Sequence, residues 1–257
     1  MSARTDAIVE WLRQRLTQAG ANGFVIGLSG GVDSAVVARL CQSAAPSHVL
    51  AVIMPCHGDH GDDEDARRIA AHFGIPSMRV DLAPAYDVIV EDLNYAAEHL
   101  PEDQLAAVPC REDVRARVPM ANVKPRLRMS TLYFLANTMN YLVAGTGNRS
   151  ELAIGYFTKY GDGGVDLLPI GHLLKSEVRD AARELGVPRE IVEKPPSAGL
   201  WPGQTDEEEM GFSYAELDTY LTRGAQAVSP ALATRLEQLI RQNEHKRAAV
   251  PTPETAP

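Results

Sequence analysis

The chain opens on MSARTDAIVEWLRQRL, where apolar residues recur at helical spacing and predict an amphipathic first helix. The run Phe24-Val25-Ile26-Gly27-Leu28 is short and continuously apolar, the pattern of a strand buried on both faces of a parallel sheet. A glycine turn and a helix from Ser34 follow, then Val49-Leu50-Ala51-Val52-Ile53-Met54 as a second buried strand and a charged helix over 62–72. Residues 78–82 give a short third strand, and helical periodicity covers 86–99. This alternation predicts an α/β fold, a doubly wound, Rossmann-like parallel sheet flanked by helices and joined by right-handed crossovers.

Residues 101–119 are charged, proline-bearing and weakly periodic, and read as an irregular excursion. A long helix over 126–140 and a strand over 141–144 restore the alternation. Glycines 155, 161, 163 and 164 then crowd a charged loop, and helices resume at 174–185, 214–222 and 230–242 as a C-terminal helical portion. We expect one domain over 1–250 and a flexible tail over 251–257, where prolines recur.

Composition narrows the class. Hydrophobic residues make up 45% and charged residues 23% of 257 positions, as in a soluble globular protein with a real core. No apolar run approaches the roughly 20 residues a membrane span needs, and the amphipathic N-terminus lacks a signal-peptide core. Cys41, Cys56 and Cys110 lie far apart, as inert thiols of a reducing cytoplasm do. A net charge of −9 argues against a nucleic-acid surface while leaving room for a local cationic pocket. The expectation is a cytoplasmic protein with neither a membrane nor a nucleic-acid partner.

The sharpest chemical signal is Leu28-Ser29-Gly30-Gly31-Val32-Asp33-Ser34, placed where a strand meets a helix so that backbone N–H groups can be aimed at an anion. It lacks the GK[ST] ending of a Walker A loop. A tight turn with a Ser/Asp cap is the plainer alternative, but this longer context is rarer than a glycine pair. SGGxDS resembles the pyrophosphate loop of ATP pyrophosphatases, which cleave ATP between its α- and β-phosphates. That resemblance implies close approach at Gly30 and Gly31, hydroxyls from Ser29 and Ser34, and Asp33 helping to hold Mg2+. Gly27, Leu28 and Val32 complete the ATP-binding stretch.

GMP synthetases, asparagine synthetases and tRNA-modifying enzymes carry similar loops, so the second half decides. Gly145-Thr146-Gly147-Asn148-Arg149-Ser150-Glu151 and the run from Gly155 through Lys159 to Asp166 resemble the signature of the NAD synthetase family. Asn122-Val123-Lys124-Pro125-Arg126-Leu127-Arg128-Met129, Lys194-Pro195-Pro196-Ser197-Ala198 and His245-Lys246-Arg247 match in the family's order. The resemblance implies ATP contacts from Thr146, Lys175 and Ser197, and a second metal ligand in Glu151. It implies that Arg126, Lys159, Asp166, His245 and Lys246 meet deamido-NAD, whose pyrophosphate and carboxylate suit fixed cations. No side chain stands out as a catalytic acid or base. Read singly, Thr146 is a helix cap, Glu151 an exposed helical glutamate and the rest solvated surface.

The implied reaction is the ATP-dependent amidation of deamido-NAD with ammonia through an acyl-adenylate, giving NAD, AMP and pyrophosphate. The glycine-rich segment 155–166 is its expected lid. No glutamine amidase is legible, so ammonia is expected from solution or from a separate supplier. Family members of this size imply a homodimer. The rivals are another ATP pyrophosphatase, such as a GMP synthetase-type ligase, and an ATP-binding module without chemistry. Two departures from the family stand out: Pro125, where alanine is more usual, and Cys56-His57-Gly58-Asp59-His60-Gly61 after the second strand, on the adenine side. His57, Asp59 and His60 read as a polar loop, since nothing completes a metal site.

Overall fold

The protein is described by a computed structural model covering residues 2–58, 60–101, 104, 114–197, 199, 203 and 205–253. Four strands, β1 (Gly23–Gly27), β2 (Val49–Ile53), β3 (Ser77–Arg79) and β4 (Tyr141–Val143), form one parallel sheet in the order β3-β2-β1-β4. In β1, Phe24 and Ile26 point to one face and Val25 to the other, and all three are fully buried. Hence the unbroken apolar run: neither face of the strand meets water.

Helices cover both faces. On one side α1 (Ala3–Ala19), α2 (Val32–Ala44), α3 (His60–Phe73), α8 (Lys175–Glu184) and α9 (Arg189–Glu193) share a core with Phe24, Ile26 and Ala51. On the other, α6 (Val123–Met139) lays Leu132 and Ala136 on Val25, Val52 and Val143, beside the start of α4 (Ala83–Glu98). A third cluster lies apart from the sheet, where Ile154 of α7 (Arg149–Ile154) meets α10 (Asp206–Met210), α11 (Tyr214–Arg223) and α12 (Pro230–Gln242) around Phe212, Leu217 and Leu236. This is the expected C-terminal helical portion.

Several boundaries differ from expectation, among them β3, which covers Ser77–Arg79 rather than 78–82. Residues 114–121 form a helix, α5 (Val114–Ala121), that runs through Pro119, so only the earlier part of 101–119 is left as an irregular expectation, and most of it lies outside the described residues. Helix α6 starts at Val123 and takes Pro125 into its first turn, where a missing N–H costs no intrahelical bond. Cys41 and Cys56 are buried free thiols, whereas Cys110 and residues 254–257 of the expected tail lie outside the described residues. No helix among the described residues is long and apolar enough to cross a membrane.

Candidate active site

From β1 the chain moves one way across the sheet to β2 and β3, while β4 pairs on the other side of β1. Such a reversal leaves a crevice beyond the strand ends, where open α/β sheets collect ligands. A cavity of about 430 Å³ occupies it, lined by Leu28, Ser29 and Asp33 after β1 and by Gly145 and Thr146 after β4.

The loop after β1 is built for close approach. Gly30 adopts φ +83, and a Cβ there would meet the Asp62 carbonyl oxygen at 2.5 Å. Ser29 and Ser34 brace the turn, their Oγ atoms 3.1 Å apart, and Ser34 Oγ donates to the Gly31 carbonyl at 2.9 Å. Gly31 caps α2 without a side-chain bond, so no cap side chain covers the N–H groups of the first turn of α2.

Asp33 faces Lys175, whose Nζ lies 2.6 Å from Asp33 Oδ2 and 3.3 Å from Glu151 Oε1. A capping box sets Glu151: its backbone N–H donates to Asn148 Oδ1 at 3.0 Å, and its Oε2 accepts from Asn148 N–H at 3.1 Å. Asn148, not Thr146, therefore caps α7, leaving Thr146 to the cavity. Asn148 also donates to Asp33 Oδ1 at 2.9 Å, tying the two carboxylates together. Burial pushes the Glu151 carboxyl up to about 7, with Asp33 adding to the rise and Lys175 opposing it. Burial disfavours the Lys175 charge, but Asp33 and Glu151 outweigh it and hold its pKa above the ordinary lysine value.

One buried carboxylate outside the cavity locks this geometry. Asp218 of α11 accepts from Ser150 Oγ at 2.5 Å, and from Ser176 N–H and Oγ at 3.0 and 2.7 Å. Ser150 Oγ in turn accepts from the Lys175 N–H at 3.0 Å. The helices bearing Glu151 and Lys175 are thus joined beside their functional residues.

The residues expected to meet a dinucleotide divide. Lys246 lines the cavity and donates to the Gly155 and Phe157 carbonyls at 2.7 and 2.8 Å. Arg126, Lys159, Asp166 and His245 are not among its lining residues. Arg126 donates to the Lys159 carbonyl at 3.3 Å and Lys159 to the His245 carbonyl at 2.6 Å, a chain of cations fastening the 155–166 segment to the C-terminal region. Both Asp166 oxygens hold structure, one accepting from Tyr133 OH at 3.0 Å and the other from Val143 N–H at 2.8 Å. Segment 155–166 is wound into turns, with Thr158 N–H donating to Asp162 Oδ1 at 2.9 Å and Thr158 Oγ1 to Asn122 Oδ1 at 2.6 Å. A lid motion would have to undo these ties. Ser197 lines the cavity beside Lys194, and His57 bonds Asp87 at 2.7 Å.

Other lining residues were not singled out from the sequence. Arg128 crosses the cavity wall to donate to the Met54 carbonyl at 3.2 Å, and Asp206 accepts from Tyr156 and Tyr214 hydroxyls at 3.2 and 2.9 Å. Burial pushes the Asp206 carboxyl up, against the pull of Lys175 and of both hydroxyls. Arg128 stood within a quoted motif, and Asn148-x-x-Glu151 spells a capping box, so these two had a readable signal. Asp206 stood within Gln204-Thr205-Asp206-Glu207, a further match to the family, but its pairing with two tyrosines 8 and 50 positions away left no local signal.

A family model described as NAD synthase matches residues 4–250. The chain is 50% identical over 244 residues to the NH(3)-dependent NAD(+) synthetase of Carboxydothermus hydrogenoformans, covering 95% of this chain and 94% of that protein. Among solved structures it resembles the NMN synthetase from Francisella tularensis, with a TM-score of 0.87 and 36% identity over 99% of this chain and 100% of that one. The NH3-dependent NAD synthetase from Campylobacter jejuni, solved with a nitrate ion, follows at a TM-score of 0.77 and 27% identity, covering 99% and 100%.

Proposed function

The chain belongs to the NAD synthase family of ligase-type enzymes, and from that premise we propose that it amidates deamido-NAD with ammonia at the expense of ATP. The observation that carries this reading is the joining of Asp33, Glu151 and Lys175 beside a glycine phosphate loop at the sheet's reversal point.

A carboxylate is a poor electrophile and needs a leaving group. A nicotinate carboxylate oxygen attacks the α-phosphorus of ATP, forming an acyl-adenylate and expelling pyrophosphate. Ammonia then attacks the acyl carbon, and AMP departs. In the first step the chain holds two anions together and offsets their charge, through the loop N–H groups, the Ser29 and Ser34 hydroxyls and Lys175. Thr146 and Ser197, which also line the cavity, add hydroxyls. In the second step the wall formed by Gly155–Thr158 and Lys246 keeps water from the acyl carbon.

Asp33 and Glu151 suit Mg2+: both are hard oxygen donors, and their carboxylates converge on one cation, the Lys175 ammonium. Held by Asp33 and Glu151, magnesium would offset the negative charge of the phosphates. Among the described residues no cluster of three or more potential ligands is present, so ATP and water would complete its shell.

We assign Arg126, Lys159, Asp166, His245 and Lys246 to the deamido-NAD side, with Arg126, Lys159 and His245 acting as a connected strip beside the cavity. The exposed apolar residues Val88, Leu93 and Tyr95 of α4 and Phe134 of α6 support a homodimer that buries them, working in the cytoplasm. The test supplies ATP, Mg2+, deamido-NAD and ammonium, then measures NAD, AMP and pyrophosphate. Absence of all three products overturns the reading, and glutamine in place of ammonium is expected to give almost no NAD.

A second reading concerns only the acceptor. The close fit to an NMN synthetase favours the deamidated mononucleotide as an alternative substrate at the same site. Comparing kcat/KM for the two acceptors decides between them.

A further inference from the structure

Lys194 lines the cavity, yet its ammonium rests on carboxylates: Nζ lies 2.8 Å from Asp62 Oδ1 and 2.6 Å from Asp65 Oδ2. Those aspartates stand in the first turns of α3, directly over the phosphate loop. A Cβ built on Gly30 would meet the Asp62 carbonyl oxygen at 2.5 Å and the Asp65 Cβ at 3.0 Å. The Lys194 ammonium is therefore held close beside the turn that aims N–H groups at an anion.

Charge makes this placement informative. The two ion-pair clusters flanking the loop, Asp33–Lys175–Glu151 and Asp62–Lys194–Asp65, hold four carboxylates against two ammonium groups and the Arg68 guanidinium, which lies 3.6 Å from Asp65 Oδ1. A triphosphate entering that field is repelled less when positive charge passes from carboxylates to phosphates. Lys175 is nearly sealed, its side chain 3% exposed, whereas Lys194, Asp62 and Asp65 keep 29%, 32% and 19% exposure. Water can solvate Asp62 and Asp65 once their partner leaves, so this pair is cheap to separate. A lysine on its four-carbon stem can swing without moving the backbone, and Lys194 stands three residues before Ser197 on the same cavity wall.

We propose that Lys194 is a second phosphate-contacting lysine, which Asp62 and Asp65 hold beside the loop and release to the pyrophosphate portion of ATP as the nucleotide binds. The inference rests on the ATP reading of the site. The competing role is a fixed pin that fastens residues 194–197 to α3, and the two roles predict opposite signs.

The experiment measures binding of a non-hydrolysable ATP analogue and of AMP, with Mg2+, to the wild-type chain, Lys194→Ala and Asp65→Asn. Lys194→Ala is expected to lose about tenfold or more in analogue affinity, the scale of a charged hydrogen bond, and to leave AMP affinity unchanged. Asp65→Asn removes a competitor for the ammonium and is expected to tighten the analogue; this arm carries the test if Lys194→Ala does not fold. Equal losses of analogue and AMP in Lys194→Ala, or weaker analogue binding by Asp65→Asn, would establish the pin and overturn the proposal. Unchanged analogue binding by Lys194→Ala overturns the lysine's role alone. A wild-type chain that binds neither nucleotide overturns the ATP reading and this proposal with it.

Discussion

Asp33 concentrates the site's chemistry in one side chain: from the first turn of α2 it meets Lys175 and Asn148, and it is the residue we propose to help hold Mg2+. Asp33→Asn is expected to lower pyrophosphate release by about 100-fold or more, on the scale of removing one preorganised charge-stabilising group. The variant should also unfold at a lower temperature, because the sealed Lys175 ammonium keeps only Glu151 as a charged partner, and near-normal turnover by the folded variant would contradict the assignment. Gly30 fails differently. Its φ of +83 and the Asp62 carbonyl above it leave no place for a methyl group, and helix α3 cannot easily yield. Gly30→Ala should cost about 1–3 kcal/mol in urea unfolding and weaken nucleotide binding as well. Both residues were legible in the sequence, since a strand, a glycine turn and a helix fix where their atoms go. Asp166 was legible only through the family resemblance, which implied a dinucleotide contact; that its carboxylate also ties Tyr133 to the end of β4 follows from tertiary packing.

At the scale of elements, Asp218 sets the distance between α7 and α8 without lining the cavity. Asp218→Asn should destabilise the chain by about 1–3 kcal/mol, because a buried donor loses its acceptor. It should also raise the ATP KM and the Mg2+ requirement together, measured in steady-state assays; a stability loss with both constants unchanged would deny Asp218 this positioning role. The strands were readable because buried parallel strands are continuous apolar runs. Helix α7 was read only as a plainer alternative, with Thr146 as its cap and Glu151 helical, because six residues show no periodicity; its cap is Asn148. Helix α5 escaped because Pro119 argues against a helix, and yet the helix runs through it. The tie from Ser150 to Asp218, 68 positions apart, follows from tertiary packing alone and left no trace in local pattern.

For the whole molecule, the apolar side chains left on α4 and α6 bear on assembly. Phe134 is 70% exposed, far more than a core-forming phenylalanine. If it sits in a homodimer interface, Phe134→Glu should shift the sedimentation coefficient from dimer to monomer, and an unchanged value places the interface elsewhere. A different consequence follows from the three separate cores. Lys175 begins α8, whose apolar side packs into the sheet's first core beside α2, while Glu151 lies on α7, which anchors through Ile154 in the third cluster with α11 and α12. The charged centre therefore straddles a seam between two bodies of packing, and it exists only while both are folded. If the smaller cluster opens first on warming, as weakly buttressed units do, the enzyme should fall silent at a temperature where its sheet is still intact. Residual activity measured after heating in step with native-state amide exchange would reveal that order, with amides of α11 and α12 exchanging before those of β1. Simultaneous loss would mean that the seam is as strong as the cores it joins.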